Sequence, residues 1–135
     1  MKICFRRHGE WNRGTGDLTP QAQLAALRKA RDYDQVYSSP VWRCIQTARV
    51  LSNGGDVQTC EIFTDLGGSV VGVWDHVDSI RNFLRQFVGS EGKVLIVSHS
   101  NLVSALNLLN LGEEIPKDLN DLPEFPYLGG FNFYV

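Results

Sequence analysis

Four residues in this sequence have the chemistry to handle a phosphoryl group: Arg7, His8, Arg43 and His99. Arginines carry planar forks of donors matched to phosphate oxygens, and they stay charged at any working pH. Two histidines can divide the labour. A neutral one can attack phosphorus while the other donates hydrogen bonds to a phosphoryl oxygen. Arginines in the same pocket disfavour protonation of a histidine, which keeps the nucleophile available near neutral pH. The four describe a phosphoryl-transfer site that calls on no metal and no cofactor.

Such a site needs elements that bring positions 7, 8, 43 and 99 together. Residues 2–5 are apolar and read as a strand running into Arg6-Arg7-His8-Gly9. Thr19 with Pro20 reads as an N-cap and first helical position, opening an Ala-rich helix to about Arg31. Residues 35–37 predict a second strand. Ser39-Pro40 repeats the cap-then-proline signal, and Val41, Cys44, Ile45, Ala48 and Leu51 share one helical face. That places Arg43 in a helical first turn, where free amides and the helix dipole favour an anion. Residues 57–63 alternate as a third strand. Asp75 is placed to cap a helix whose buried stripe is Val77, Ile80, Leu84, Phe87 and Val88.

Val94 to Val97 is a continuous apolar run, the pattern of a strand covered on both faces. Residues 101–111 predict a well-buried helix. The segment 112–130, with Pro116, Pro123 and Pro126, predicts irregular chain, and Phe131, Phe133 and Val135 predict a closing strand. Strands alternate with helices throughout. The expected fold is a three-layer α/β/α sandwich with a mostly parallel central sheet, forming a single domain over 1–135. In such sheets ligands bind beyond the carboxyl ends of the strands. Arg7-His8, Ser38-Ser39 and Ser98-His99 all fall at that edge.

Composition narrows the partners. Thirteen Lys and Arg against fifteen Asp and Glu leave a net charge of −2. That balance gives no bulk attraction for nucleic acid or an anionic membrane, so any basic site is local. No apolar run approaches the ~20 residues needed to span a bilayer, and the N-terminal residues lack the apolar stretch of a signal peptide. Cys4, Cys44 and Cys60 are scattered and odd in number, against a disulfide scaffold or zinc site. A cytoplasmic protein is expected.

Arg7-His8-Gly9-Glu10 resembles the RHG signature of the histidine phosphatase superfamily, the phosphoglycerate mutase-like family. Further matches follow in order along nearly the whole chain. Leu18-Thr19 resembles the family's LT element. Tyr37-Ser38-Ser39-Pro40 with Arg43, Thr47 and Ala48 resembles YSSPxxRxxQTA, and Val97-Ser98-His99 resembles the second histidine motif. The resemblance implies a phosphoglycerate mutase-like fold and a phosphohistidine intermediate on His8. Arg7, Arg43 and His99 would complete the phosphoryl pocket. Glu10 would orient the site, and Asn12 and Arg13 would be extra phosphate contacts.

The sequence departs from the family pattern in two places that bear on proton transfer. Members acting on alkyl phosphates carry a glutamate in an LxE element, where Leu66-Gly67-Gly68 stands here. The following GxWEG element appears as Gly72-Val73-Trp74-Asp75-His76. Asp65 and Asp75 are therefore the candidate acids, although Asp75 reads first as a helix cap. His76 reads as an exposed or capping residue, and the acidic 113–124 stretch as a solvated loop. Trp11 and Trp74 read equally well as packing residues or as the pocket mouth.

The leading expectation is a small phosphatase hydrolysing a phosphate ester or phosphoramidate, closest in style to small phosphohistidine phosphatases. Its substrate would be a phosphorylated small molecule or a phosphohistidine protein. Two rivals stand beside it. One is a mutase or small-molecule phosphomonoesterase; the other is a phosphate- or phosphopeptide-binding module that has lost turnover.

Overall fold

The structure, a computed structural model, describes residues 1–67 and 72–135. Five strands form one sheet: β1 (Lys2–Arg7), β2 (Gln35–Ser38), β3 (Val57–Thr59), β4 (Lys93–Ser98) and β5 (Gly130–Tyr134). Their order is β3-β2-β4-β1-β5. The first four pair in parallel, and β5 closes the edge antiparallel to β1. The helices are α1 (Pro20–Arg28), α2 (Trp42–Leu51), α3 (Val73–Leu84) and α4 (Ser100–Asn110). No helix among the described residues is long and apolar enough to cross a membrane.

Side-chain alternation assigns the two faces of the sheet. Cys4, Leu95 and Val97 pack with Ala26 of α1 and Cys44 and Ala48 of α2. Ile3, Phe5 and Ile96 turn the other way, toward Ile80 of α3 and Leu102 of α4. β4 is buried on both sides, as its unbroken apolar run predicts; Val94 to Val97 are all fully buried. Each such side chain contributes about 1.5–3 kcal/mol of transfer free energy. Phe131 and Phe133 of β5 stack on Phe5 at 5.8 and 6.0 Å. β5 can approach this closely because it begins with Gly130: a Cβ there would sit 1.8 Å from the Phe5 carbonyl oxygen.

Local signals set some boundaries and tertiary contacts moved others. Thr19 caps α1 as expected, its Oγ1 accepting from Ala22 N–H at 3.1 Å, with Pro20 at the first position. The helix ends at Arg28, short of Arg31. Ser39 is not the N-cap of α2, which starts at Trp42 after Val41; its hydroxyl meets Val41 N–H at 3.4 Å and His99 Nε2 at 3.0 Å. The third strand stops at Thr59 and gives way to a 3-10 turn over Glu61–Phe63 that buries Phe63. Asp75 is not the cap of α3; Gly72, with φ of 81°, holds that position, and Asp75 is exposed in the first turn. Val88 leaves the predicted stripe, 68% exposed, because a 3-10 turn over Arg85–Phe87 breaks the helical phase.

Register is what builds the site. Arg7 pairs with Ser98 across β1 and β4, and Ser38 pairs with Val97 across β2 and β4. The carboxyl ends of three adjacent strands are therefore flush. His8, His99 and Ser39, each one residue further on, are delivered to the same edge.

Candidate active site

His8 extends the strand ladder by one bond, its N–H donating to Ser98 O at 3.1 Å. Its ring is fixed by Nδ1–H donating to Gly9 O at 2.9 Å. That leaves the lone pair on Nε2, which receives the Nε–H of Arg43 at 3.3 Å. Thr47 ties the turn after β1 to α2: its Oγ1 accepts from Gly9 N–H at 3.0 Å and donates to Arg43 O at 2.7 Å. The Thr47 hydroxyl thus sets the distance between His8 and Arg43.

His99 stands at the N-terminus of α4, with Nε2 3.0 Å from Ser39 Oγ. Its Nδ1 faces Arg43 Nη2 at 3.5 Å. A donor facing Nδ1 leaves the ring proton on Nε2, donating to the serine. The two imidazoles are 5.5 Å apart, both buried, and Arg43 reaches each of them. Trp11 covers the Arg43 guanidinium at 4.3 Å from ring centroid, so this tryptophan belongs to the pocket mouth. Trp74 is 54% exposed and has no such contact among the described residues.

Arg7 is held from the opposite side. Nη1 donates to Phe125 O at 2.6 Å and lies 3.3 Å from Glu124 Oε1, while Tyr127 covers the guanidinium at 4.2 Å. Its Nε is buried without a hydrogen-bond partner. A buried donor left unbonded costs free energy, so it is suited to an incoming anion. Leu128, at φ of 63°, fixes this turn; its N–H meets His8 O at 3.4 Å. The segment that read as solvated loop therefore returns to the site at its end.

The electrostatics favour neutral imidazoles. Burial pushes His8 from its ordinary 6.5 to about 4; the bond to Gly9 opposes this, and the charges of Arg43, His99 and Arg7 reinforce it. Burial likewise takes His99 to about 4, aided by Arg43 and opposed by the Asp65 carboxylate. Cys44, 3.8 Å from His99 Nε2, is pushed up to about 12 by burial and stays a thiol.

A pH dependence follows from these shifts. Folding stability should decline as pH falls from 6.5 toward 4, because the unfolded histidines take up protons the folded ones refuse. Urea midpoints from pH 7 to 4 test this. A wild-type decline no steeper than that of His99→Gln would remove the assignment of buried neutral rings.

The remaining sequence-predicted residues divide. Asp65 lies near the pair, accepting from Asn101 Nδ2 at 2.8 Å and Gly67 N–H at 2.7 Å. Burial raises its pKa, but these two bonds and the charges of His99 and Arg43 outweigh that and hold it below the usual carboxylate range. Arg13 lies 5.6 Å from the Trp11 ring, one layer outside Arg43. The structure does not bring Glu10, Asn12 or Asp75 against the histidines. Glu10 is exposed, and Asn12 Oδ1 closes its own turn through Gly14 N–H at 2.8 Å. His76 engages Ile62 O, a structural bond. Gly68 lies outside the described residues. Sequence reasoning missed Glu124 and Tyr127, which carry no motif and reach Arg7 only through the fold.

No family profile and no curated protein matches this sequence. Solved structures do. The phosphoserine phosphatase of Entamoeba histolytica in complex with 3-phosphoglyceric acid superposes with a TM-score of 0.73 at 19% identity, covering 98% of this chain and 90% of that one. Mycobacterial glucosyl-3-phosphoglycerate phosphatase with inorganic phosphate gives 0.69 at 17%, covering 93% and 86%. YhfR of Bacillus stearothermophilus gives 0.68 at 18%, covering 93% and 87%. With the RHG and VSH histidines at one sheet edge and backbones superposing over nearly their whole length, the chain has the phosphoglycerate mutase-like fold of the histidine phosphatases.

Proposed function

We propose that this protein is a phosphatase acting through a phosphohistidine on His8. The observation that carries the reading is the state of that ring. Nδ1–H is pinned to Gly9 O, and the Nε2 lone pair points at Arg43 beside His99. Nε2 attacks phosphorus, and the bond from phosphorus to the leaving atom breaks, that atom departing with the bonding pair. Arg43, Arg7 and His99 bear on the phosphoryl oxygens. His99 Nδ1 takes up a proton from solvent as the dianion arrives, donates it in a hydrogen bond to a phosphoryl oxygen, and returns it to solvent when orthophosphate leaves. Water then attacks the phosphohistidine and releases orthophosphate, restoring neutral His8.

The substrate is a phosphorylated small molecule or a phosphohistidine. The structural neighbours named for phosphoserine and for glucosyl-3-phosphoglycerate support the first. The missing LxE glutamate supports the second, since phosphohistidine needs less proton assistance. Turnover of an aryl phosphate separates a phosphatase from a module that only binds. The reaction needs no metal, so activity should survive chelators. Activity lost to EDTA and restored by a divalent ion would overturn the mechanism.

Arg43 touches both histidines and should act more in the transition state than in the ground state. Arg43→Ala should lower kcat by about a hundred- to a thousand-fold, the usual cost of about 2.7–4 kcal/mol for one such donor. Steady-state kinetics on an aryl phosphate checks this. Near wild-type turnover would reduce Arg43 to a packing partner of Trp11.

A further inference from the structure

The same sheet carries a second polar cavity, which neither histidine lines. It lies on the α1–α2 face, over β1 and β5 and beside the end of α1, with a volume of about 410 Å³. Lys2, Arg6, Arg28, Lys29, Arg31 and Lys93 line it, and no Asp or Glu does among the described residues. Six of the chain's thirteen Lys and Arg therefore converge on one cavity in a protein of net charge −2.

Ordinary structural roles account for only part of this. Arg6 is engaged with Phe5 O, Phe131 O and Asn132 Oδ1, and Arg31 with Ala30 O. Arg28, in the last turn of α1, complements the helix dipole. Lys2, Lys29 and Lys93 make no side-chain hydrogen bond and no ion pair among the described residues. Lys2 and Lys93 are moreover direct register partners on adjacent strands. Like charges so placed are destabilising. Asp34 is the nearest acid in the hydrogen-bond network: its carboxylate accepts from the Lys93 backbone N–H at 2.7 Å, makes no ion pair with either lysine among the described residues and is not part of the lining.

The rest of the lining includes Tyr33, Leu51 and Leu128, an apolar wall beside the charges. We propose that this cavity binds a small molecule carrying two or more linked phosphates on an organic body, as a nucleoside diphosphate does. The ammonium and guanidinium groups take the phosphate chain, and the wall takes the organic part. This site is separate from the phosphoryl pocket and does not depend on the catalytic reading.

Calorimetric titration tests it, with the phosphoryl pocket first saturated with vanadate. The probes are ADP, inorganic pyrophosphate and adenosine at low ionic strength. ADP and pyrophosphate should bind below about 1 mM, ADP the tighter, and adenosine should not. The double variant Arg28→Glu with Lys29→Glu, and separately Lys93→Glu, should each weaken both phosphates by at least about tenfold. These side chains are exposed, and unchanged thermal melting verifies folding. Arg43→Ala should bind as wild type does. Failure of both phosphates to bind, or affinities indifferent to all three reversals, overturns the site. Pyrophosphate equal to ADP overturns the role of the wall.

Discussion

His8→Ala is expected to abolish both turnover and phosphoenzyme formation. Removing a covalent nucleophile costs on the order of 10⁴–10⁶-fold in kcat. The wild type should show a more specific signature. A phosphoramidate is labile in acid and stable in base, whereas a phosphoserine or an acyl phosphate behaves otherwise. Quenching turnover in base should therefore trap labelled protein that loses its label in acid. The site geometry narrows the attachment further, to Nε2, because Nδ1 is committed to Gly9 O. Label that survives acid, or that persists in His8→Ala, would exclude His8 as the nucleophile. Label on Nδ1 would show that the ring turns during the reaction.

The second large effect concerns the proton for the leaving group. An alkoxide is a very poor leaving group, and a general acid is worth about 10²–10⁴-fold. A phenolate leaves far more readily, and the imidazole of phosphohistidine can take its proton from water. Position 68 is glycine where the family's glutamate would stand. Asp65, the carboxylate nearest in sequence, is held below the usual range by Asn101 and Gly67, so it carries no proton to give. Asp75 is exposed on α3. Aryl phosphates should thus exceed alkyl phosphates in kcat/KM by about 10²–10⁴-fold. Glu124 is a rival that only the fold supplies, since it reaches Arg7 at 3.3 Å. The measurement is kcat/KM across esters graded by leaving-group pKa, for wild type, Asp65→Asn, Asp75→Asn and Glu124→Gln. A steep dependence, little changed in all three variants, is expected. A flat wild-type dependence that steepens in one variant would identify that residue as the acid.

The division between what was legible in the chain and what was not has a physical basis. Composition and apolar patterning determine the layers, because burial depends on which side chains are apolar and at what period. The grouping of Arg7, His8, Arg43 and His99 was legible for a related reason. Each ends a strand, follows directly on one or lies in the first turn of a helix, so its place at the sheet edge is inherited from a local element. Capping was less secure where a side chain had a choice of partners. The Thr19 hydroxyl bonds its own helix, whereas the Ser39 hydroxyl is shared between Val41 N–H and His99, sixty residues away, and α2 starts only after Val41.

Register, proton placement and the far wall of the site were decided by tertiary structure alone. Nothing in the local chain says that Arg7 and Ser98 are level, or that Gly9 O will fix the tautomer of His8. Glu124, Phe125 and Tyr127 come to Arg7 from an irregular segment whose path is set by β5 pairing antiparallel to β1. The basic cavity has the same origin. Its lysines and arginines are spread from position 2 to 93, and no motif links them in the sequence. Their convergence is a property of strand order, which brings the first and fourth strands side by side.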